Sequence, residues 1–427
     1  MFKSFFWLFA TQVSGVAVAL IVGIIVSRKL GPEGQGLYQL AIVVPVAMTL
    51  VLAIGGGAGP SFLIGRGVPV KEVWGWLVVL AVSAMAATLC VLTWFPSIWP
   101  RPVVDSIPLD LRTGLLVYVP LQILANGGAA ILVAQNRMRY VFWVGMLPRL
   151  AQLTAVVIAA LNWGLTVVMV ATIYVWMPLL GLLVSLIALK GQAIPRWRYV
   201  VIKQALGFGI KGHLGNVAQF LNYRLGLYVT GLLLMPRQTG FYWLAVTLSE
   251  LLWYGPSAVS GVLLPRVAKS ESDGARTALI ANVMGWGTVL LGGVAALISP
   301  WLLPKIWGAP FKGAVPLLWI LLPGVSLFAW SKVLTGDLAG KGHPEWGTWS
   351  SLAGFAVVAA GSILALHRHQ ILWMAMSQSL SYMVAMIVVV WGFRYVHSRE
   401  SVSWQSLFYP QVSLWRTMIH LRRETRQ

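Results

Sequence analysis

Apolar runs of about 20 residues follow one another along nearly the whole chain, and that succession restricts its fold more than any single motif. One crossing of a bilayer takes about 20 apolar residues. Inside hydrocarbon every backbone polar group must be bonded internally, which a helix achieves within one segment. Twelve such runs can be separated, at roughly 5–27, 38–64, 74–96, 113–134, 142–162, 165–189, 205–234, 240–264, 277–303, 313–336, 348–366 and 370–393. Between them no stretch is long enough for a water-soluble domain. The chain is 58% hydrophobic and 10% charged, against about 25% charged in soluble domains. The expectation is an all-α polytopic membrane protein.

Loop charge sets the orientation. With both termini cytoplasmic, the inner segments hold more than twice as many Lys and Arg as the outer loops, the bias of cytoplasmic loops. The net charge of +20 is therefore read as loop charge and attraction to anionic membrane lipids, not as a nucleic-acid footprint. Lys3 precedes an apolar run that continues to about Val26, longer than the 7–15 residues of a signal-peptide core, so an uncleaved first span is expected. Cys90, the single cysteine, excludes a disulfide within the chain and a thiolate metal cluster. His367 and His369 flank Arg368 in an outer turn that lacks further ligands. The segment 401–427 mixes Trp404, Phe408 and Trp415 with arginines, as an interfacial amphipathic tail does.

A repeat divides the chain. Leu30-Gly-Pro-Glu-Gly-Gln-Gly-Leu-Tyr-Gln-Leu-Ala41 is answered by Leu234-Met-Pro-Arg-Gln-Thr-Gly-Phe-Tyr-Trp-Leu-Ala245, an offset of 204 residues that pairs Pro32, Gly36 and Tyr38 with Pro236, Gly240 and Tyr242. The same offset pairs Gln12 with Asn216 and Arg137 with Lys341. Each half then supplies six spans, an even number, so the halves enter the membrane in the same sense. Two six-helix bundles related by a parallel repeat around a central cavity are expected, with sites near mid-bilayer. The organisation predicted is an N-terminal bundle over 1–189, a cytoplasmic linker over 190–204, a C-terminal bundle over 205–393 and a basic tail over 394–427.

The span pair around 211–250 is read as a hairpin turning at Pro236–Gly240, and it carries charge. A basic or acidic residue at the centre of an isolated span costs about 2.5–3.5 kcal/mol on insertion scales, so such residues need a wet cavity or a partner. Arg224 and Glu250 each lie 13 residues from Arg237, which puts them at similar depth on antiparallel helices. They are read either as an ion pair or as a phosphate contact beside a protonatable coupling group. Lys211 shares a small, polar helical face with Gly215, Ala218, Asn222 and Gly226, as a cavity wall or tight helix contact does. Lys211, Arg149 and Lys332 lie nearer the inner surface and either face the cavity or snorkel out. Gln12, Asn126, Asn216, Gln219 and Asn222 are candidates for lining the cavity, through bonds to sugar hydroxyls, or for joining helices. The surplus of cations points to an anionic cargo. No phosphate-binding loop or catalytic constellation is present in the sequence, so neither an ATPase nor a cofactor is expected.

The first-loop motif IIVSRKLGPEGQGLYQLA, the halfway repeat and the seventh span GNVAQFLNYRLGLYVTGLLL with its following Pro-x-x-x-Gly-x-Tyr resemble the polysaccharide (O-antigen type) flippases of the multidrug/oligosaccharidyl-lipid/polysaccharide (MOP) exporter superfamily. The resemblance implies a MATE-like fold and translocation of undecaprenyl-diphosphate-linked oligosaccharide across the bacterial inner membrane. It further implies a cationic cavity, drive by an H+ or Na+ gradient, and work alongside polysaccharide assembly proteins. The chain departs from the family where an acidic residue is common near Leu225 or Gly226; here only Arg224 is charged. The alternatives are a MATE-like multidrug or cation antiporter, which the basic spans disfavour, and a membrane-embedded glycan polymerase or acyltransferase, which the short outer loops disfavour.

Overall fold

The computed structural model describes residues 2–57, 59–94, 99, 101–106, 108–267, 274–368, 370–398 and 404–409. Among these, every regular element is helical. Two compact units emerge. The first comprises residues 1–220, 227–243 and 304–311; the second comprises 221–226, 244–303 and 312–427.

The first unit opens with α1 (Phe2–Leu52), which Gly31 interrupts at φ 66°, ψ −176°. That left-handed φ suits glycine, and Pro32, lacking an N–H, starts the second segment where none is needed. The first two expected spans thus meet at one residue. Unwinding at Gly55 (φ 75°) separates α1 from α2 (Gly59–Gly65), followed by α3 (Val70–Trp94), α4 (Arg101–Ser106), α5 (Leu109–Ala134), α6 (Met138–Asn162) and α7 (Val167–Leu189). Thr166 caps α7, its hydroxyl accepting the Met169 amide at 3.2 Å. Val18, Val22 and Val26 of α1 pack with Val156 of α6 and Val170 of α7 in the core. Arg28 donates to the carbonyls of Lys305 and Ile306, so this basic residue caps a helix end.

Next come α8 (Tyr199–Leu233) and α9 (Pro236–Glu250). The turn between them is Leu234–Met235. Pro236–Gly240, expected to form the turn, is instead the first part of α9, with proline at a helix start as its chemistry favours.

The second unit continues through a 3-10 turn at Leu251–Trp253, then α10 (Tyr254–Val267), α11 (Gly274–Trp307), a 3-10 turn at Ala309–Gly313, α12 (Ala314–Gly340), α13 (Glu345–Arg368), α14 (Ile371–Val396) and α15 (Trp404–Phe408). A proline frees a carbonyl in α11, and a side chain takes it up. Pro300 leaves the Ala296 carbonyl without its helical donor, and the Trp319 indole N–H donates to it at 3.0 Å. The short α15 is held by its own carbonyls: Trp330, Trp286 and Asn282 donate to Leu407, Phe408 and Tyr409.

Among the described residues nine helices are long and apolar enough to cross a membrane. One of them, Ala10–Leu52, has 43 residues, about twice the length one crossing needs, and holds most of the first expected span and, across Gly31, the first part of the second, which breaks after Leu52. The two expected spans outside this set are α8, which carries Lys211 and Arg224, and the run α9–α10, which is broken just after Glu250. The residues beyond Tyr409, which include most of the expected amphipathic tail, lie outside the described residues, as does His369.

Identical turns close α5 and α12. Asn136 (φ 56°) and Gly342 (φ 87°) take the left-handed position; Arg137 N–H bonds the Leu132 carbonyl and His343 N–H the Leu338 carbonyl, each at 2.8 Å. The repeat therefore pairs Arg137 with His343 here, two residues on from the Lys341 that a fixed offset of 204 selects.

Candidate functional site

The site is built on α8, α9 and α12. Pro256 lacks the N–H that would bond the Leu252 carbonyl, and its ring crowds that carbonyl. The chain answers with the 3-10 turn Leu251–Trp253 directly after Glu250. A short 3-10 stretch inside a helical run often marks a functional position. Here it delivers Trp253, whose indole N–H donates to the Val325 carbonyl of α12 at 3.0 Å.

Beside it, Arg224 Nη2 and Glu250 Oε2 lie 3.3 Å apart. The Arg224 side chain is 37% exposed and that of Glu250 18%, so the guanidinium retains an open side while its carboxylate partner is mostly enclosed. Arg224 and Glu250, each 13 residues from Arg237, thus meet as an ion pair.

One residue before Arg224, Tyr223 faces Lys332. The Lys332 ammonium donates to the Tyr223 hydroxyl at 2.8 Å. It also sits 5.1, 5.0 and 5.2 Å from the ring centroids of Tyr223, Trp253 and Phe328, inside the range of cation–π attraction. Tyr382 of α14 backs this cage, stacked on Phe328 at 5.5 Å and edge-on to Trp253 at 5.0 Å. Lys332 does not snorkel: its ammonium is held among aromatic faces within the second unit.

The other expected residues divide. Arg149 of α6 lies in the first unit, half-buried, with its guanidinium packed against Gly15 of α1. Gln12, Asn216 and Gln219 are exposed. Asn126 is exposed and accepts a bond from Gln122 at 2.7 Å. Lys211 is helical within α8, and its side chain lies outside the described residues. Asn222 is buried: its side chain accepts from the Ser381 hydroxyl at 2.6 Å and its carbonyl from Gln378 at 3.0 Å. With Ala218 and Gly226 also buried, that part of the small face is a tight helix contact, and Asn222 joins α8 to α14 instead of lining a cavity.

Two clusters escaped the sequence reading. Asp337 of α12 accepts from Thr277 at 2.8 Å and lies 2.7 Å from His397 Nε2, both partners of that pair being fully buried. In the first unit, Tyr118 and Tyr174 share a hydroxyl contact of 3.0 Å, with Tyr38 edge-on to Tyr174. The signal for Asp337 was present, an acid within an apolar run, but it sits one residue past the expected end of its span. Among the described residues no group of three or more His, Cys, Asp or Glu is arranged to hold a metal ion.

Solved structures share the architecture. A multidrug resistance MATE family transporter of the MOP superfamily, inward-facing, aligns over 90% of this chain and 95% of its own with TM-score 0.71 and 16% identity. The lipid II flippase MurJ, inward closed, aligns over 91% and 87% with TM-score 0.74 and 11% identity. The fold is that of MOP-superfamily transporters. A MOP superfamily transporter from Pyrococcus furiosus Vc1, described as having a binding pocket of reversed polarity, aligns over 93% and 96% with TM-score 0.57 and 17% identity. At these identities the likeness is one of fold. No protein-family model and no curated protein sequence matches the chain.

Proposed function

We propose that this chain is a flippase that moves undecaprenyl-diphosphate-linked oligosaccharide repeat units across the bacterial inner membrane for polysaccharide biosynthesis. Transport proceeds by alternating access through a cationic central cavity, with both termini cytoplasmic. The observation that carries the reading is that basic side chains of the spans are held by protein groups at fixed positions, Arg224 by Glu250 at 3.3 Å and Lys332 by Tyr223 at 2.8 Å. Cations retained at their desolvation cost inside spans serve a function by default, and a diphosphate is a ligand for which charge-assisted bonds are strong. Arg224, with its open side, is the first contact; Arg149 and Lys211 complete the anion path. Gln12, Asn126, Asn216 and Gln219 offer hydrogen bonds to the glycan. Glu250 competes with the diphosphate for Arg224, so protonation or Na+ binding at Glu250 couples the cycle to an ion gradient. The MurJ neighbour, itself a lipid II flippase, supports a fold able to take a lipid-linked cargo.

Proteoliposomes carrying a fluorescent polyprenyl-diphosphate glycan test the reading. The parent flips the lipid, and Arg224→Ala and Arg149→Ala slow it by about ten-fold or more, the scale of losing one charge-assisted contact. Unchanged flipping in both variants rejects the anion path. A multidrug or cation antiporter is the second reading, favoured by the MATE neighbours; efflux of organic cations by the parent, with no flipping, would establish it.

A further inference from the structure

We propose that the aromatic cage of Tyr223, Trp253 and Phe328 is a recognition site for an alkylated ammonium, that the chain fills it with its own Lys332, and that Lys332 thereby denies organic cations to the second unit. This inference stands on the cage alone and does not depend on the cargo being a lipid-linked glycan.

The ligand set around the ammonium is that of a cation site. Three rings of three different residues place their centroids at 5.0–5.2 Å from Lys332 Nζ. One hydroxyl accepts from it, and among the described residues it forms no ion pair. Ring faces carry the negative end of the aromatic quadrupole, and enclosing a cation among several of them is how quaternary ammonium ligands are recognised. The rings are fixed before any ligand arrives. Trp253 is pinned through its N–H to Val325, its backbone is set by the Pro256 break, and Phe328 is stacked on Tyr382, which is 1% exposed. Lys332 and Tyr223 keep partial exposure, so the cage opens on their side. Because Lys332 is tethered, its effective concentration at the cage reaches the millimolar range or above, and a free cation must displace it.

Binding of radiolabelled tetramethylammonium to the purified full-length protein tests the proposal. The parent should show no saturable binding. Lys332→Ala should acquire it, at least about ten-fold above the parent, and the near-isosteric Lys332→Gln should gain it more weakly. Lys332→Arg, which refills the cage, should again exclude the ligand, and adding Trp253→Ala to Lys332→Ala should abolish the gain. Neutral tert-butanol should not compete, which separates charge recognition from cavity filling. Equal binding by the parent and Lys332→Ala overturns the proposal. So does absence of binding in both Lys332→Ala and Lys332→Gln when their thermal unfolding is cooperative.

Discussion

Gly36 of the first repeat motif lies against the carbonyl of Pro236 in the second, and Gly240 lies in the same way against the carbonyl of Pro32. The two motifs that match in sequence at an offset of 204 residues therefore also touch each other reciprocally, within the first unit. At both glycines an added Cβ would collide with backbone, which cannot move aside as the end of a side chain does.

Gly36→Ala and Gly240→Ala should each destabilise the protein by about 1–3 kcal/mol, the scale of overpacking, and by similar amounts because the contacts mirror one another. Gly293→Ala, where a Cβ meets nothing within 4 Å, should be neutral or slightly stabilising, since alanine is the better helix former. Thermal unfolding in detergent reads all three. Gly36→Ala behaving like Gly293→Ala would refute the backbone contact.

Removing one member of the Arg224–Glu250 pair should cost more than removing both. A buried pair broken on one side loses about 3–5 kcal/mol, but with Arg224 over one third exposed solvent screening lowers the figure to about 1–2 kcal/mol. Arg224→Gln and Glu250→Gln should each lower the melting temperature, and the double variant should recover part of the loss. Glu250→Gln should in addition blunt the response of transport to the ion gradient. An unaltered gradient response removes Glu250 as the coupling group.

Asn222→Ala should be a stability variant. It removes the acceptor of the buried Ser381 hydroxyl, worth about 1–3 kcal/mol when a buried group loses its partner. Asn216→Ala and Gln12→Ala, at exposed positions, should leave unfolding unchanged and alter glycan transport. A transport defect in Asn222→Ala with an unchanged melting temperature would contradict its place between α8 and α14.

Asp337→Ala should be among the more damaging single changes in the second unit, at about 1–3 kcal/mol for each buried group deprived of this acceptor, because it removes the carboxylate that the Thr277 hydroxyl and His397 Nε2 share. Thr277→Val should cost about 1 kcal/mol. Melting temperatures that rank the two the other way would refute the network.

The sequence by itself determined the class of fold and the repeat. Apolar runs of membrane length admit only helices in hydrocarbon, and Pro32, Gly36, Pro236 and Gly240 mark the same helix entry twice. Depth was also legible, since a fixed rise per residue from Arg237 brings Arg224 level with Glu250. Which way a side chain points was not, because rotation about a helix axis is settled by neighbours far away in sequence. Asn222 shares a helical face with Lys211 on paper, yet Ser381 and Gln378, more than 150 residues later, enclose it. Lys332 read as a residue within reach of the inner surface until Tyr223, Trp253 and Phe328 converged on its ammonium from two other segments and its own helix. Only tertiary packing decided that, since a cage exists when three ring faces meet at one point and no local propensity encodes the meeting.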